Sequence, residues 1–182
     1  MTFPSPLGKL AFLVIDDNAN MVQIVKTILK NFGVVHVYEA RDVAEAFGIV
    51  RQYAIDIVLV DYNLGFMDGV EFVKLMRTAT DSPNPYLPVI MLTAHTEQRH
   101  VERARDAGVT EFCAKPVAPA DIYRKIIQVI ERPRPFVRTA TYFGPDRHRH
   151  DDGADFKGPE RRRDRMTQAT PLETEALEAK AG

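Results

Sequence analysis

Ile57-Val58-Leu59-Val60-Asp61 is the stretch on which the fold turns. Four consecutive apolar residues, three of them β-branched, describe a strand buried on both faces. The run then stops on a carboxylate, with Tyr62-Asn63-Leu64-Gly65 behind it. An ionised acid left in an apolar wall is costly, so Asp61 has to emerge at the carboxyl end of the strand, toward solvent, a partner or an ion. A turn or capping aspartate would explain Asp61 alone.

Before that stretch, Leu10-Ala11-Phe12-Leu13-Val14-Ile15 is a second apolar run, and it ends in Asp16-Asp17-Asn18. Met21, Val22, Ile24, Val25, Ile28, Leu29 and Phe32 then recur at helical spacing and stop at Gly33. Val34 to Tyr38 is short and β-rich, and Asp42-Val43-Ala44-Glu45 fits a capping box opening a further helix. Beyond Asp61, Asp68-Gly69 precedes a helix carrying Val70, Phe72, Val73, Leu75 and Met76. Pro88-Val89-Ile90-Met91-Leu92 predicts a strand running into Thr93-Ala94-His95, followed by a polar helix over 97–107 with a thin apolar stripe. Glu111-Phe112-Cys113-Ala114 is a last short strand before Lys115-Pro116, and Pro119 sits in the first turn of a final helix.

Five alternations of strand and helix predict an α/β, doubly wound parallel sheet with helices on both faces. Open sheets of this kind bind ligands outside the carboxyl ends of their strands. Asp16, Asp17, Asp61, Thr93 and Lys115 all fall just past strand ends, so one crevice should hold them. Three carboxylates there repel one another unless a cation intervenes, and Mg²⁺ suits one or two carboxylates, waters and phosphate oxygens. Asn63 could add its backbone carbonyl, Lys115 a point charge and Thr93 a hydroxyl. An aspartate in that company is equipped to attack phosphorus and carry an aspartyl phosphate. Each member has an ordinary reading too: Asp17 or Asn18 as a helix cap, Thr93 as a strand-end residue, Lys115 as a surface lysine. Their joint placement carries the chemistry.

Bulk composition agrees with a globular domain. The 182 residues are 45% hydrophobic and 27% charged, with net charge −1, and no strong global field points to nucleic acid or an anionic membrane. The lone Cys113 excludes an intramolecular disulfide, and no cysteine cluster could hold zinc. No signal peptide and no run of membrane-spanning length is evident, so a cytoplasmic protein without membrane insertion is expected.

With those residues in view, 10–132 resembles a response-regulator receiver domain, with residues 1–9 as an N-terminal extension. The matching features are Asp16-Asp17, Asp61, Asp68-Gly69, Thr93 and Lys115-Pro116. The resemblance implies a flavodoxin-like, five-stranded sheet of order 2-1-3-4-5. It implies Asp61 as phosphoacceptor, Asp16, Asp17, Asp61 and the Asn63 carbonyl as ligands of Mg²⁺ (or Mn²⁺), and Thr93 and Lys115 as contacts of the phosphoryl group. It further implies a cis Lys115–Pro116 peptide, a switch built from Thr93 and Phe112, and tuning of dephosphorylation by Asn63 and His95. Gly65 is a departure, because many receivers carry proline there. The expected partners are a sensor histidine kinase or histidine phosphotransfer protein, and an output protein docking on the face of the fourth helix, fifth strand and fifth helix.

Residues 133–182 change character, with proline, arginine and few aliphatic residues. An imperfect repeat runs through them, Phe143-Gly144-Pro145-Asp146-Arg147 and then Lys157-Gly158-Pro159-Glu160-Arg161. Composition favours a largely disordered tail, or one that docks on a partner. The expected function is a stand-alone response regulator of a two-component or phosphorelay system, not a turnover enzyme. Its rivals are a phosphate sink or shuttle, an aspartate-nucleophile phosphatase, and a regulator contacting DNA or RNA through the arginines. The phosphatase class needs a second acid where this chain has Asn63, and the mixed charge of the tail argues against nucleic acid.

Overall fold

The computed structural model describes residues 5–94 and 98–147, and the backbone of 167–169. Its centre is a parallel sheet of β1 (Ala11–Ile15), β2 (His36–Ala40), β3 (Ile57–Asp61), β4 (Val89–Thr93) and β5 (Glu111–Ala114), in the order β2-β1-β3-β4-β5. Helices α1 (Ala19–Asn31), α2 (Val43–Gln52), α3 (Gly69–Thr78) and α4 (Gln98–Ala107) fill the four crossovers, and α5 (Pro119–Glu131) follows the last strand. Fold class and strand order are those read from the sequence and its resemblance.

Strand periodicity divides the interior in two. Leu13, Ile15, Val58, Val60 and Met91 face α2, α3 and α4, packing on Val43, Val70, Val73, Met76 and Ala104. The alternate residues Phe12, Val14, Leu59, Ile90, Leu92 and Cys113 face α1 and α5, on Val25, Leu29, Ile122 and Ile126. All of β3 is buried, which is why its sequence is a continuous apolar run without polar alternation. Each fully buried aliphatic side chain here contributes about 2 kcal/mol of transfer free energy.

Side chains at the loop ends fix where the helices begin. Asn18 caps α1, accepting from the Asn20 and Met21 amides, so Asp17 is spared that duty. Asp42 accepts from the Glu45 amide, while Glu45 reaches back to the amide of Arg41, one residue further than a standard capping box. Asp68 caps α3 through the Glu71 amide.

The folded chain does not end with α5, as the apolar periodicity predicts. Strands β6 (Phe136–Arg138) and β7 (Phe143–Pro145) form an antiparallel hairpin, and β8 (Thr167–Ala169) pairs with the other edge of β6. Phe136 and Phe143 close around Tyr86 with ring centroids 5.1 and 5.2 Å from it. Beneath them lies Arg77, 4% exposed, whose guanidinium donates to the carbonyls of Pro85, Leu87 and Gly108. Burial lowers its pKa to about 10. Arg134 donates to the Thr110 carbonyl, and Arg147 stacks on Tyr142 and pairs with Asp106 at the end of α4. The hairpin therefore packs at the amino ends of β4 and β5, opposite the strand-end acids. Few aliphatics are involved, which hid it from hydrophobic periodicity. The second repeat copy lies outside the described residues.

Candidate phosphoacceptor site

Strand parity assembles the site. Asp16 continues the Phe12–Val14 side of β1, Asp61 the Ile57–Leu59 side of β3, and Lys115 the Cys113 side of β5. The ladder persists past the last strand residues, with the Asp16 amide on Ala40 and the Lys115 amide on Thr93. All three side chains thus reach the same side of the same sheet edge. Lys115 Nζ stands 3.1 Å from Asp61 Oδ1 and 3.3 Å from Asp16 Oδ2.

Carboxylate oxygens of Asp16, Asp17 and Asp61 lie within 4.8 Å of one another. Asp16 is buried and takes the Asn18 amide on its other oxygen at 2.9 Å, whereas Asp17 is exposed. Burial pushes the Asp61 carboxyl above its ordinary value; the Lys115 ammonium opposes that shift and the Asp16 charge adds to it. Three acids against one ammonium form a donor set that fits a hard divalent cation bound through oxygen.

The loop after β3 is narrow for stated reasons. A Cβ on Gly69 would fall 2.2 Å from the Asp61 carbonyl, so only glycine lets α3 start there. Asn63 pairs with Asp68 and Leu64 with Met67, leaving Gly65 and Phe66 as a two-residue turn. Gly65 has φ +66°, which proline's ring forbids, so the departure noted in the sequence comes with a different turn. Phe66 at the tip is fully exposed.

Thr93 is buried at the end of β4, on the side of Val89 and Met91. Phe112 is half-buried on β5, in register with Met91 and packed against that same cluster, so the two residues of the expected switch share a face of the sheet. The Lys115–Pro116 peptide is cis. Asn63 is exposed on its short ladder, and His95 lies outside the described residues. Sequence reasoning missed Tyr62, His100 and Arg103: the Tyr62 hydroxyl is 2.9 Å from His100 Nδ1 and accepts from Arg103. Only the position of Tyr62, next to Asp61, hinted at it.

A profile of the response regulator receiver domain matches residues 12–127. The chain belongs to the response regulator receiver family. This receiver is 32% identical over 120 residues to chemotaxis protein CheY-3 of Vibrio cholerae, covering 66% of this chain and 91% of the relative. It is 29% identical over 120 residues to chemotaxis protein CheY of Pseudomonas aeruginosa, covering 66% and 95%. The solved structure of V. cholerae CheY4 superposes with TM-score 0.60 at 29% identity, over 66% of this chain and 99% of that one. A putative response regulator of Chloroflexus aurantiacus gives 0.61 at 25% identity, over 68% and 100%. Receivers are signalling domains of two-component systems, bind Mg²⁺ at an acidic site and work with histidine kinases and output proteins. Among the described residues no helix is long and apolar enough to cross a membrane.

Proposed function

We propose that this receiver acts as a response regulator, taking a phosphoryl group on Asp61 from a sensor histidine kinase or histidine phosphotransfer protein. The observation that carries the reading is the Lys115 ammonium lying between the Asp61 and Asp16 carboxylates at a crowded acidic edge. An Asp61 carboxylate oxygen attacks phosphorus, the bond to the donor imidazole breaks, and that ring leaves with the electron pair. Lys115 offsets part of the effect of burial on Asp61 and then holds a phosphoryl oxygen. The Thr93 hydroxyl donates to a second oxygen. Mg²⁺ or Mn²⁺, held by Asp16, Asp17, Asp61 and the Asn63 carbonyl, supplies neutralisation of the phosphoryl charge.

Thr93 moving toward the phosphoryl group vacates space beside Phe112, and this biases the face of α4, β5 and α5 toward an output protein. Asn63 and His95, two residues beyond Asp61 and Thr93, are assigned to tuning hydrolysis by their places in the sequence. Incubating the full chain with acetyl phosphate and Mg²⁺, and weighing it by mass spectrometry, tests the reading. One added phosphoryl group that Asp61→Asn abolishes is expected; unlabelled, folded, Mg²⁺-loaded protein overturns it.

A further inference from the structure

The loop between Asp61 and α3 carries contacts that the phosphoryl chemistry leaves unused. We propose that Arg103 of α4 is a positioning residue, which holds the two ends of this loop together and so sets how tightly the acidic edge binds its cation. The proposal rests on the phosphoacceptor reading and deepens it.

One guanidinium grips both ends. Arg103 Nη1 donates to the Tyr62 hydroxyl at 3.2 Å and to the Asp68 carboxylate, and Nη2 reaches Glu71 Oε1 at 3.3 Å. Tyr62 is the first residue after the phosphoacceptor, and Asp68 is the last before α3. Between them, Asn63 and Asp68 are ladder partners, and the Gly69 amide donates to the Tyr62 carbonyl at 2.8 Å. The tip of the loop borders the acids: a Cβ on Gly65 would lie 3.5 Å from Asp17 Oδ2. His100, one turn earlier on the same face of α4, meets the Tyr62 hydroxyl. The loop that offers the Asn63 carbonyl is thus tied to α4 at both ends.

Energetics decide what such a tie can do. The Arg103 side chain is 44% exposed, and an ion pair that exposed adds little to global stability. Its effect lies in restricting the loop before the cation arrives, which removes an ordering cost from binding. Geometry also distinguishes arginine from lysine, since only the planar fork spans a hydroxyl and two carboxylates at once.

The test is calorimetric titration of Mg²⁺ into the full-length, unphosphorylated protein. Arg103→Met is expected to bind Mg²⁺ about fivefold more weakly, with its urea midpoint nearly unchanged. Arg103→Lys should fall between it and the wild type. Arg105→Met, on the same helix and paired with Asp106 among the described residues, should match the wild type. With acetyl phosphate, the Arg103→Met deficit in labelling rate should vanish at saturating Mg²⁺. Wild-type Mg²⁺ affinity in Arg103→Met, an equal loss in Arg105→Met, or a deficit that persists at saturation would each overturn the proposal. If the wild type gave no binding heat, or Asp61→Asn were still labelled, the site reading itself would fall and the proposal with it.

Discussion

The ammonium of Lys115 sits 3.1 Å from the Asp61 carboxylate, having arrived there from the opposite half of the chain. It also lies 3.3 Å from Asp16, so one cation serves two acids that burial has taken from water. The same two carboxylates belong to the cluster suited to a divalent ion, so on the proposed reading Lys115 both assists the phosphoryl step and competes with the metal.

That dual position predicts opposite effects of one substitution. Lys115→Met should tighten Mg²⁺ binding, because a positive charge leaves the site. Labelling by acetyl phosphate should slow by about a hundredfold, the usual cost of losing one donor aimed at developing charge. Calorimetry and timed mass spectrometry measure the two separately.

The raised pKa of Asp61 has a stability consequence. The native state holds a proton on this carboxyl at a pH where the unfolded chain has released it, so wild-type stability falls as pH rises from 3.8 through the folded value. Asp61→Asn escapes that penalty. Urea midpoints in the absence of divalent ions should favour the Asn variant at neutral pH, with the difference closing as pH drops below 3.8.

Mg²⁺ should stabilise the wild type by mass action, by about 2.7 kcal/mol at a hundred times its dissociation constant. Asp61→Asn should gain much less. Thermal melts with and without the ion measure this difference.

The amino end of the sheet offers a test far from the chemistry. Arg77 donates to three main-chain carbonyls, those of Leu87 and Gly108 in buried contacts, and its ring partner Phe136 belongs to the hairpin. Arg77→Met should cost about 3 kcal/mol, because carbonyls left without donors stay buried. Ending the chain at Arg132 should also lower the urea midpoint, by exposing Tyr86 and Arg77. The fraction that remains folded should still accept a phosphoryl group, since the hairpin lies at the other end of the strands.

In the turn after Asp61, Gly65→Ala should cost about 1 kcal/mol, the penalty for a side chain in the left-handed region. Gly69→Ala should cost far more, because its Cβ has backbone in its way. Equilibrium unfolding of the two variants ranks them.

Periodicity and strand-end chemistry made the receiver legible before any coordinates. Apolar strands that run into Asp16, Asp61 or Thr93, and the short strand before Lys115, set the direction of these side chains at the sheet edge, because parity along a strand is a local property. The capping residue Asp42 was legible because a cap serves its own helix's first turn. What tertiary structure alone decided was which polar groups meet across the chain. It buried Asp16 and left Asp17 exposed, and it brought Arg103 to both ends of the Asp61 loop. It also turned Arg77 inward to three main-chain carbonyls and folded Phe136 and Phe143 over it. Hydrogen bonds to backbone and single aromatic contacts have no repeat along a sequence, so such pairings exist only once the chain has closed.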